Sequence, residues 1–288
     1  MLELTKSELA KPLGQLQQPA EERVQGGWRR SAGLLWAEAR RIWTIYWRYP
    51  LDFVSGLVVL FITFFVILTG VQYVAGPSFQ FGDDRLSGLI LGYWLWNLSI
   101  FAFSYTATAL RIEAVSGTLE QIYLSPFGTL RVFCLRSLAS LAINVVTSTV
   151  LLGLLMLVTG RQLSFPPEIA LPLLTTLMAA YGIGLGMAAL TLLFKQTGEF
   201  FTIVQFLILP AVFVPFESLN GPLAQLYSLV PIAPSAEALR SLMTAQVTPE
   251  PSLFLMGFVN GAIYLAAGTA LFFYGDRLAR KRGVVGLF

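Results

Sequence analysis

Residues 111–131 read RIEAVSGTLEQIYLSPFGTLR, a polar segment in a chain that otherwise consists of long apolar runs. Thr118 followed by Gln121 fits a capping box, which predicts a helix that starts at the next residue. Ser125 would end this helix after about two turns, because the residue before a proline, here Pro126, is disfavoured in the α conformation. The segment therefore predicts a very short helix between two long apolar ones.

The short helix would present an apolar face. Leu119, Ile122 and Tyr123 are spaced i, i+3 and i+4, so they lie on one side of it. A helix of this length is marginal on its own in water, and an exposed apolar face would be a liability. The residues alone leave two interpretations open: the face docks into a groove of another protein, or it packs beneath its own bundle.

The composition around this segment is that of a membrane protein. Of the 288 residues, 56% are hydrophobic and 12% are charged, whereas soluble domains carry about a quarter charged residues. A bilayer core about 30 Å thick is crossed by a helix of about 20 mostly apolar residues. We expect six spans near the following residues: 53–75, 86–110, 132–159, 169–194, 200–216 and 252–274.

The fifth expected span is short and carries Pro210 and Pro215. Beyond it, two apolar pieces near 222–231 and 234–245 are too short to cross a bilayer. We expect them to form a re-entrant helical pair within an external segment, 217–251, since such elements are tolerated when covered by protein or facing water. The fold class is therefore an all-α integral membrane protein with six transmembrane helices over 51–276.

The segment before the first span, residues 31–50, reads SAGLLWAEARRIWTIYWRYP. Wound as a helix, it places its three tryptophans beside one apolar line and Arg41 and Arg48 opposite, which is typical of an amphipathic helix in the headgroup plane. Pro50 would end this helix. We expect the preceding polar residues, 1–30, to be poorly ordered.

Lysine and arginine predict the orientation of the spans. If both termini, the 111–131 loop and the 195–199 loop lie on one side, the other side holds only Arg85, Arg161 and Arg240 of the 19 basic residues. By the positive-inside rule, the first side is cytoplasmic. The basic tail 277–288 would then lie near the anionic lipid headgroups of that side.

The sequence lacks the residues that several classes of function require. The chain has no histidine and a single cysteine, Cys134, so we expect no metal site, no intrachain disulfide and no histidine-based catalysis. No phosphate-binding P-loop motif occurs, and the glycine run GIGLG at 182–186 lies inside the fourth span, where small residues usually permit close helix packing. The basic residues flank apolar spans instead of forming a patch for nucleic acid.

The stretch EAVSGTLEQIYLSP, from Glu113 to Pro126, resembles the signature of the ABC-2 type transporter permeases, and WRYP at 47–50 resembles the end of their N-terminal connecting helix. The resemblance implies that the loop is a coupling helix, whose apolar face of Leu119, Ile122 and Tyr123 docks on a separate ATPase subunit. The positions that match the family's motif are Glu113, Gly117, Thr118, Leu119, Glu120, Gln121, Ser125 and Pro126.

The same resemblance implies the partners. A full transporter would hold two permease copies, most simply a homodimer, and two ATPase subunits that bind ATP and magnesium. The chain itself would then be no enzyme and would lie in a bacterial plasma membrane. The resemblance also places a cargo path along the first, second and fifth spans near the dimer axis. The candidate residues for this path are Trp94, Asn97, Phe101, Gln205 and Phe206.

The polar residues singled out inside the spans are uncharged, among them Asn97, Asn144, Gln205 and Asn260. This favours an apolar or amphipathic cargo such as a drug, an antibiotic, a lipid or a lipid-linked glycan. The alternative function is a secondary carrier or channel without an ATPase, which would predict buried ionisable groups and inverted repeats. A membrane-embedded enzyme is the third class considered. We expect Glu217, Glu237 and Arg240, in or near the external segment, to be solvated.

Overall fold

The computed structural model describes residues 20–75, 83–118, 129–194, 198–215 and 222–282. Within these ranges the chain forms α-helices and one short 3-10 turn, and it contains no strand. The elements are α1 (Ala20–Arg48), α2 (Pro50–Ala75), α3 (Asp83–Val115), α4 (Thr129–Thr159), a 3-10 turn (Pro167–Ile169), α5 (Ala170–Leu193), α6 (Gly198–Phe213), α7 (Pro222–Leu229), α8 (Ala233–Met243) and α9 (Pro251–Arg282).

Five of the described helices, α2, α3, α4, α5 and α9, are long and apolar enough to cross a membrane. The expected fifth span corresponds to α6, which has 16 residues and is about 24 Å long at 1.5 Å per residue. It is therefore shorter than a bilayer core of about 30 Å. The chain is a multi-pass helical membrane protein, and its described residues supply five of the six expected spans at full length.

The helices extend beyond the apolar runs that predicted them. Helix α1 begins at Ala20, so the expected interfacial helix at 31–50 is longer by about three turns, and part of the expected tail 1–30 is helical. At the other end of the chain, α9 continues through the predicted tail to Arg282. These extensions are rich in Arg, a good helix former that gives no apolar signal. The break between α1 and α2 falls at Tyr49, directly before a proline, as expected.

Glycines bring the central helix α5 into backbone contact with two neighbours. A Cβ atom added to Gly268 of α9 would lie 1.8 Å from the carbonyl oxygen of Gly182 in α5. A Cβ atom added to Gly184 would lie 2.7 Å from the carbonyl oxygen of Phe103 in α3. Neither approach is open to a larger residue, so the glycine run 182–186 serves helix packing, as its position inside a span predicts.

Helix α2 stands at the edge of the bundle. Only 6% of the residues in its most apolar window are buried. Its main attachment is Phe64, which is fully buried and packs against the ring of Tyr93 in α3 at a centroid distance of 5.3 Å. The Tyr93 hydroxyl donates a hydrogen bond of 2.6 Å to the carbonyl oxygen of Leu60. The remaining apolar surface of α2 suits contact with lipid, which is as apolar as the side chains themselves.

Helices α7 and α8 are the two short helices expected between the last spans. Nearly all of α8 is buried, and the turn that leads into it is made by the buried Ile232, whose φ of 75° is rare for a β-branched residue. Side chains of α9 satisfy carbonyls near the end of α7. Asn260 donates to the carbonyl oxygens of Ser228 and Val230, both at 3.1 Å, and the Tyr264 hydroxyl donates to that of Leu229 at 2.9 Å. Such pairing is what backbone groups at a helix end require away from water.

The contact between Gly182 and Gly268 gives a testable prediction. Gly268→Ala forces α5 and α9 apart, because the added methyl group overlaps a backbone oxygen, and overpacking of this kind costs about 1–3 kcal/mol. Thermal unfolding of the purified chain in detergent measures the loss. The matched control is Gly70→Ala in α2, where the added Cβ meets nothing within 4 Å. Equal stability of the two variants would contradict the packing described here.

Candidate functional site

The described part of the 111–131 segment begins with a tightly defined helix end. Gly117 has a φ of 70°, in the left-handed region that favours glycine. The backbone N–H of Thr118 then donates to the carbonyl oxygen of Glu113 at 3.1 Å. A left-handed residue followed by this six-to-one hydrogen bond is the Schellman arrangement that ends helices. Gly117 thus fixes the direction in which the chain leaves α3.

The side chain of Thr118 closes the same turn. Its hydroxyl donates to the carboxylate of Glu113 and, at 3.3 Å, lies near the carbonyl oxygen of that residue. Three of the motif positions therefore form one local unit at the end of α3. The other predicted coupling residues lie outside the residues that the structure describes: Leu119, Glu120, Gln121, Ile122, Tyr123, Ser125 and Pro126.

Arg136 of α4 joins this unit to the first helix. Its Nη1 atom lies 2.5 Å from Oε1 of Glu113, and its Nε atom lies 2.8 Å from Oε1 of Glu38 in α1. The second oxygen of Glu38 accepts a hydrogen bond of 2.7 Å from Nε of Arg41. We call Glu38, Arg41, Glu113 and Arg136 the Arg136 cluster.

The Arg136 cluster is largely shielded from solvent, which makes its ion pairs stronger than those of an open surface. The side chains of Arg136, Glu113 and Glu38 are exposed by 22%, 21% and 12%, whereas that of Arg41 is exposed by 53%. Charge-assisted hydrogen bonds of this length are stronger than neutral ones. The two carboxylates balance the two guanidinium groups, and the described residues contain no group of three or more metal-ligating side chains.

The cluster also shows how α1 lies against the bundle. Glu38 contacts Arg136, and further along both helices Trp43 and Trp47 share an apolar cleft with a stretch of α4 that runs from Ile143 to Val150. Residues later in α1 thus contact residues later in α4. Helix α1 therefore runs alongside α4 in the same direction over these residues, held by the ion pair and the cleft. Its placement in the plane of the headgroups stays a prediction.

Neutral hydrogen bonds at Cys134 and Ser137 of α4, on either side of Arg136, reinforce the same end of the bundle. The hydroxyls of Thr106 in α3 and Ser137 in α4 are 2.9 Å apart and buried. The Tyr181 hydroxyl of α5 donates to the carbonyl oxygen of Cys134 in α4 at 3.1 Å. The helices that carry Glu113 and Arg136 are thus fastened to each other and to the central helix.

Three of the predicted cargo-path residues share one stripe of α3. Trp94, Asn97 and Phe101 are spaced i, i+3 and i+7 and lie on successive turns. Trp94 is buried, and its Nε1 atom has no hydrogen-bond partner among the described residues. Asn97 donates to the carbonyl oxygen of Tyr93 at 3.2 Å, and the rings of Phe101 and Tyr105 are 5.4 Å apart.

The other two predicted path residues lie in α6, on a different side of α3. Gln205 is half-buried and Phe206 is 63% exposed. Helix α6 packs on α3 through Phe201, whose ring stacks on that of Phe103 at 6.4 Å. At 100° per residue, Phe101 lies about 160° around α3 from Phe103. Within one chain the structure therefore does not bring the five predicted residues together between α3 and α6.

The opposite end of the bundle holds a second ion pair, and here the expectation of solvated charges is wrong. Glu237 is only 7% exposed, and its carboxylate lies 2.6 Å from Nη1 of Arg240. Arg240 also donates to the carbonyl oxygen of Val212 at 2.7 Å, near the end of α6. The pair is buried because α8 packs into the bundle. There Arg240 donates to a carbonyl oxygen at the end of α6, where the helix itself supplies no further partner. Glu217 lies outside the described residues.

Tyr227 of α7 supports the same helix end. Its hydroxyl lies 2.7 Å from the carbonyl oxygen of Pro210 and 2.9 Å from that of Val214. Burial raises the pKa of Tyr227 to about 12. The hydroxyl therefore stays protonated and remains a donor at every physiological pH.

Comparison with known proteins adds no family to this description, because no protein-family model and no curated protein matches the chain.

Sequence reasoning missed two members of the site, Glu38 and Arg136. Glu38 is the only acidic residue among 31–50, in a segment otherwise apolar or basic, and that isolation was a usable signal. Arg136 was counted only for orientation, although it interrupts the apolar pattern of the third span. A cation inside an apolar run calls for a carboxylate partner, but the sequence does not say which one.

The Arg136 cluster gives a second prediction. Arg136→Gln leaves Glu38 and Glu113 near one another without the shared cation, and losing charge-assisted bonds in a shielded site costs about 2 kcal/mol. Chemical unfolding of the purified chain in detergent measures the change. Arg111→Gln, at an exposed position of the same segment, is the control and should change stability by less than about 0.5 kcal/mol. An unchanged stability for Arg136→Gln would contradict a structural role of the cluster.

Proposed function

We propose that the chain is the membrane subunit of an ATP-driven exporter of the ABC-2 type, and that its 111–131 segment docks on a separate ATPase. The observation that carries the proposal is the attachment of that segment. Its first described residues, Glu113 to Thr118, are fixed by a Schellman turn and by the ion pairs of the Arg136 cluster. A segment that begins at residues tied in this way to α1, α3 and α4 is suited to receive a mechanical load.

The load would reach the membrane through three helices together. Glu113 ends α3, Arg136 lies in the second turn of α4, and Glu38 belongs to α1. Movement of the docked segment would therefore displace all three, because the ion pairs join them. The apolar face of Leu119, Ile122 and Tyr123 would provide the contact with the ATPase.

Energy for transport would come from the partner. The sequence has no P-loop, so ATP and Mg²⁺ would bind to the ATPase subunits, of which a complete transporter would hold two. By the excess of lysine and arginine on one side, both termini and the 111–131 segment would lie in the cytoplasm, and the resemblance implies a bacterial plasma membrane. Two copies of the chain, as a homodimer, would complete the membrane part.

The cargo path in this proposal runs along the uncharged stripe of Trp94, Asn97 and Phe101. Since α6 packs on another side of α3, Gln205 and Phe206 would join the path only at a contact between two copies of the chain. Large aromatic area with few polar groups suits an apolar or amphipathic cargo, such as a drug, an antibiotic, a lipid or a lipid-linked glycan.

One observation favours the alternative, a secondary carrier. The buried Glu237–Arg240 pair is an ionisable group of the kind that ion-coupled carriers use. It lies in the short helix α8, however, and Arg240 is also bound to backbone carbonyls of α6. Transport by the reconstituted chain that depends on a proton or sodium gradient, and not on ATP, would establish the carrier and reject the exporter.

The first experiment is purification of a tagged chain from its native membrane. The proposal requires that a protein with a P-loop co-elutes in equal amount and that the complex hydrolyses ATP. A chain that purifies alone, with membrane transport intact, would overturn the proposal.

The docking segment gives the third prediction. Leu119→Asp and Glu120→Arg leave the membrane helices folded but uncouple them from the ATPase. Leu119→Asp places a charge in the apolar docking face, and Glu120→Arg reverses a charge beside it. The readout is the ATPase activity of the reconstituted complex with and without cargo, and stimulation by cargo should fall about tenfold or more. Arg111→Gln is the control outside the docking face. Stimulation equal to that of the unmodified complex in both variants would exclude this segment as the coupling element.

A further inference from the structure

A concave surface surrounds the elbow between α1 and α2. Its outer part has a volume of about 620 Å³ and is lined by the polar side of α1, including Arg40, Arg41 and Arg48. Ile45 and Tyr49 line both this part and a second part of about 690 Å³ that lies between the end of α1, the start of α2 and α4. We call the two connected parts the elbow groove.

The second part of the elbow groove is mainly apolar. Phe53, Leu57 and Leu60 of α2 line it, together with Thr147 of α4. Gly56 opens it further, since a Cβ atom placed there would meet nothing within 4 Å. An open apolar slot beside an exposed helix is the size and chemistry that an acyl chain can fill.

The outer part carries a net positive charge. Arg40 and Arg48 are exposed and have no acidic partner among the described residues, whereas Arg41 is paired with Glu38. Glu38 is also bound to Arg136, so it does not neutralise the other two arginines. The remaining acidic group is Asp52, which lines the apolar part at the first turn of α2. Arginine is the side chain best suited to hold a phosphate, through its planar fork of donors.

Two tryptophans lie beside the groove. Trp43 and Trp47 are exposed by 58% and 72% on the neighbouring side of α1. Exposed tryptophans with arginines close by are typical of the headgroup level of a bilayer. The positive end of the groove would therefore face lipid headgroups, while its apolar end would face the acyl chains.

We propose that the elbow groove binds a single anionic phospholipid, with its phosphate on Arg40 and Arg48 and one acyl chain along Gly56 and Leu60. The lipid would contact α1 and α2 at once and hold the angle between them. The inference requires only that the chain lies in a membrane, and it stands or falls independently of the exporter proposal.

The test is native mass spectrometry of the full chain in detergent, titrated with phosphatidylglycerol. Phosphatidylcholine with the same acyl chains tests the charge, and glycerol 3-phosphate tests the headgroup alone. Phosphatidylglycerol should bind and the other two should bind at least tenfold more weakly. Replacing Arg40 and Arg48 together by glutamine should weaken phosphatidylglycerol binding about fivefold for each arginine lost.

Two further variants make the result specific. Gly56→Leu adds a side chain to the apolar part at a position where a Cβ atom meets nothing within 4 Å, so it should weaken phosphatidylglycerol binding at unchanged thermal stability. Arg277→Gln removes an exposed cation of α9 and should change nothing. Equal binding of the two phospholipids, equal loss in Arg277→Gln, or full binding in both groove variants would overturn the proposal. Tight binding of glycerol 3-phosphate would also overturn the proposal. The same holds if Gly56→Leu abolishes a dimer of the chain and leaves lipid binding unchanged.

Discussion

Arg136 lies 98 residues from Glu38 and 23 residues from Glu113 along the chain, yet its guanidinium group contacts both carboxylates. Two carboxylates this close together, shielded from water, would repel each other strongly without a cation between them. The middle of α1 and the end of α3 can therefore lie side by side because α4 supplies that cation. The direction of α1 along α4, the closed turn at Gly117 and the starting point of the 111–131 segment all follow from this arrangement.

The apolar pattern of the sequence was sufficient to predict the helical membrane class, because lipid imposes a minimum length and an apolar surface on every helix that crosses it. It also predicted the two short helices α7 and α8 and the packing use of the glycines at 182–186. Helix ends were less predictable. Polar residues such as those at 20–30 and 277–282 give no apolar signal, although they continue helices that the apolar runs began.

Interactions between distant residues were not predictable from the sequence. This concerns two sets of charged residues, the Glu38–Arg136 pair and the Glu237–Arg240 pair. The pairing of Glu38 with Arg136 depends on how α1 lies against α4, which no spacing in the sequence encodes. Glu237 and Arg240 are three residues apart in α8 and could have been paired on that ground. Their burial, however, results from the way α8 fits against the end of α6. The five cargo-path residues were drawn from a resemblance, which does not specify the side of α3 on which α6 packs.

The backbone contact between Gly182 and Gly268 has a consequence for the mechanics of the bundle. Where two helices touch without side chains between them, there are no rotamers to rearrange, so α5 and α9 behave as one stiff body. Helix α2 is the opposite case, because it meets the bundle through side chains such as Leu57, Phe64 and Leu68, which can change rotamer. Relative movement of helices therefore meets the greatest resistance between α5 and α9 and less resistance at α2.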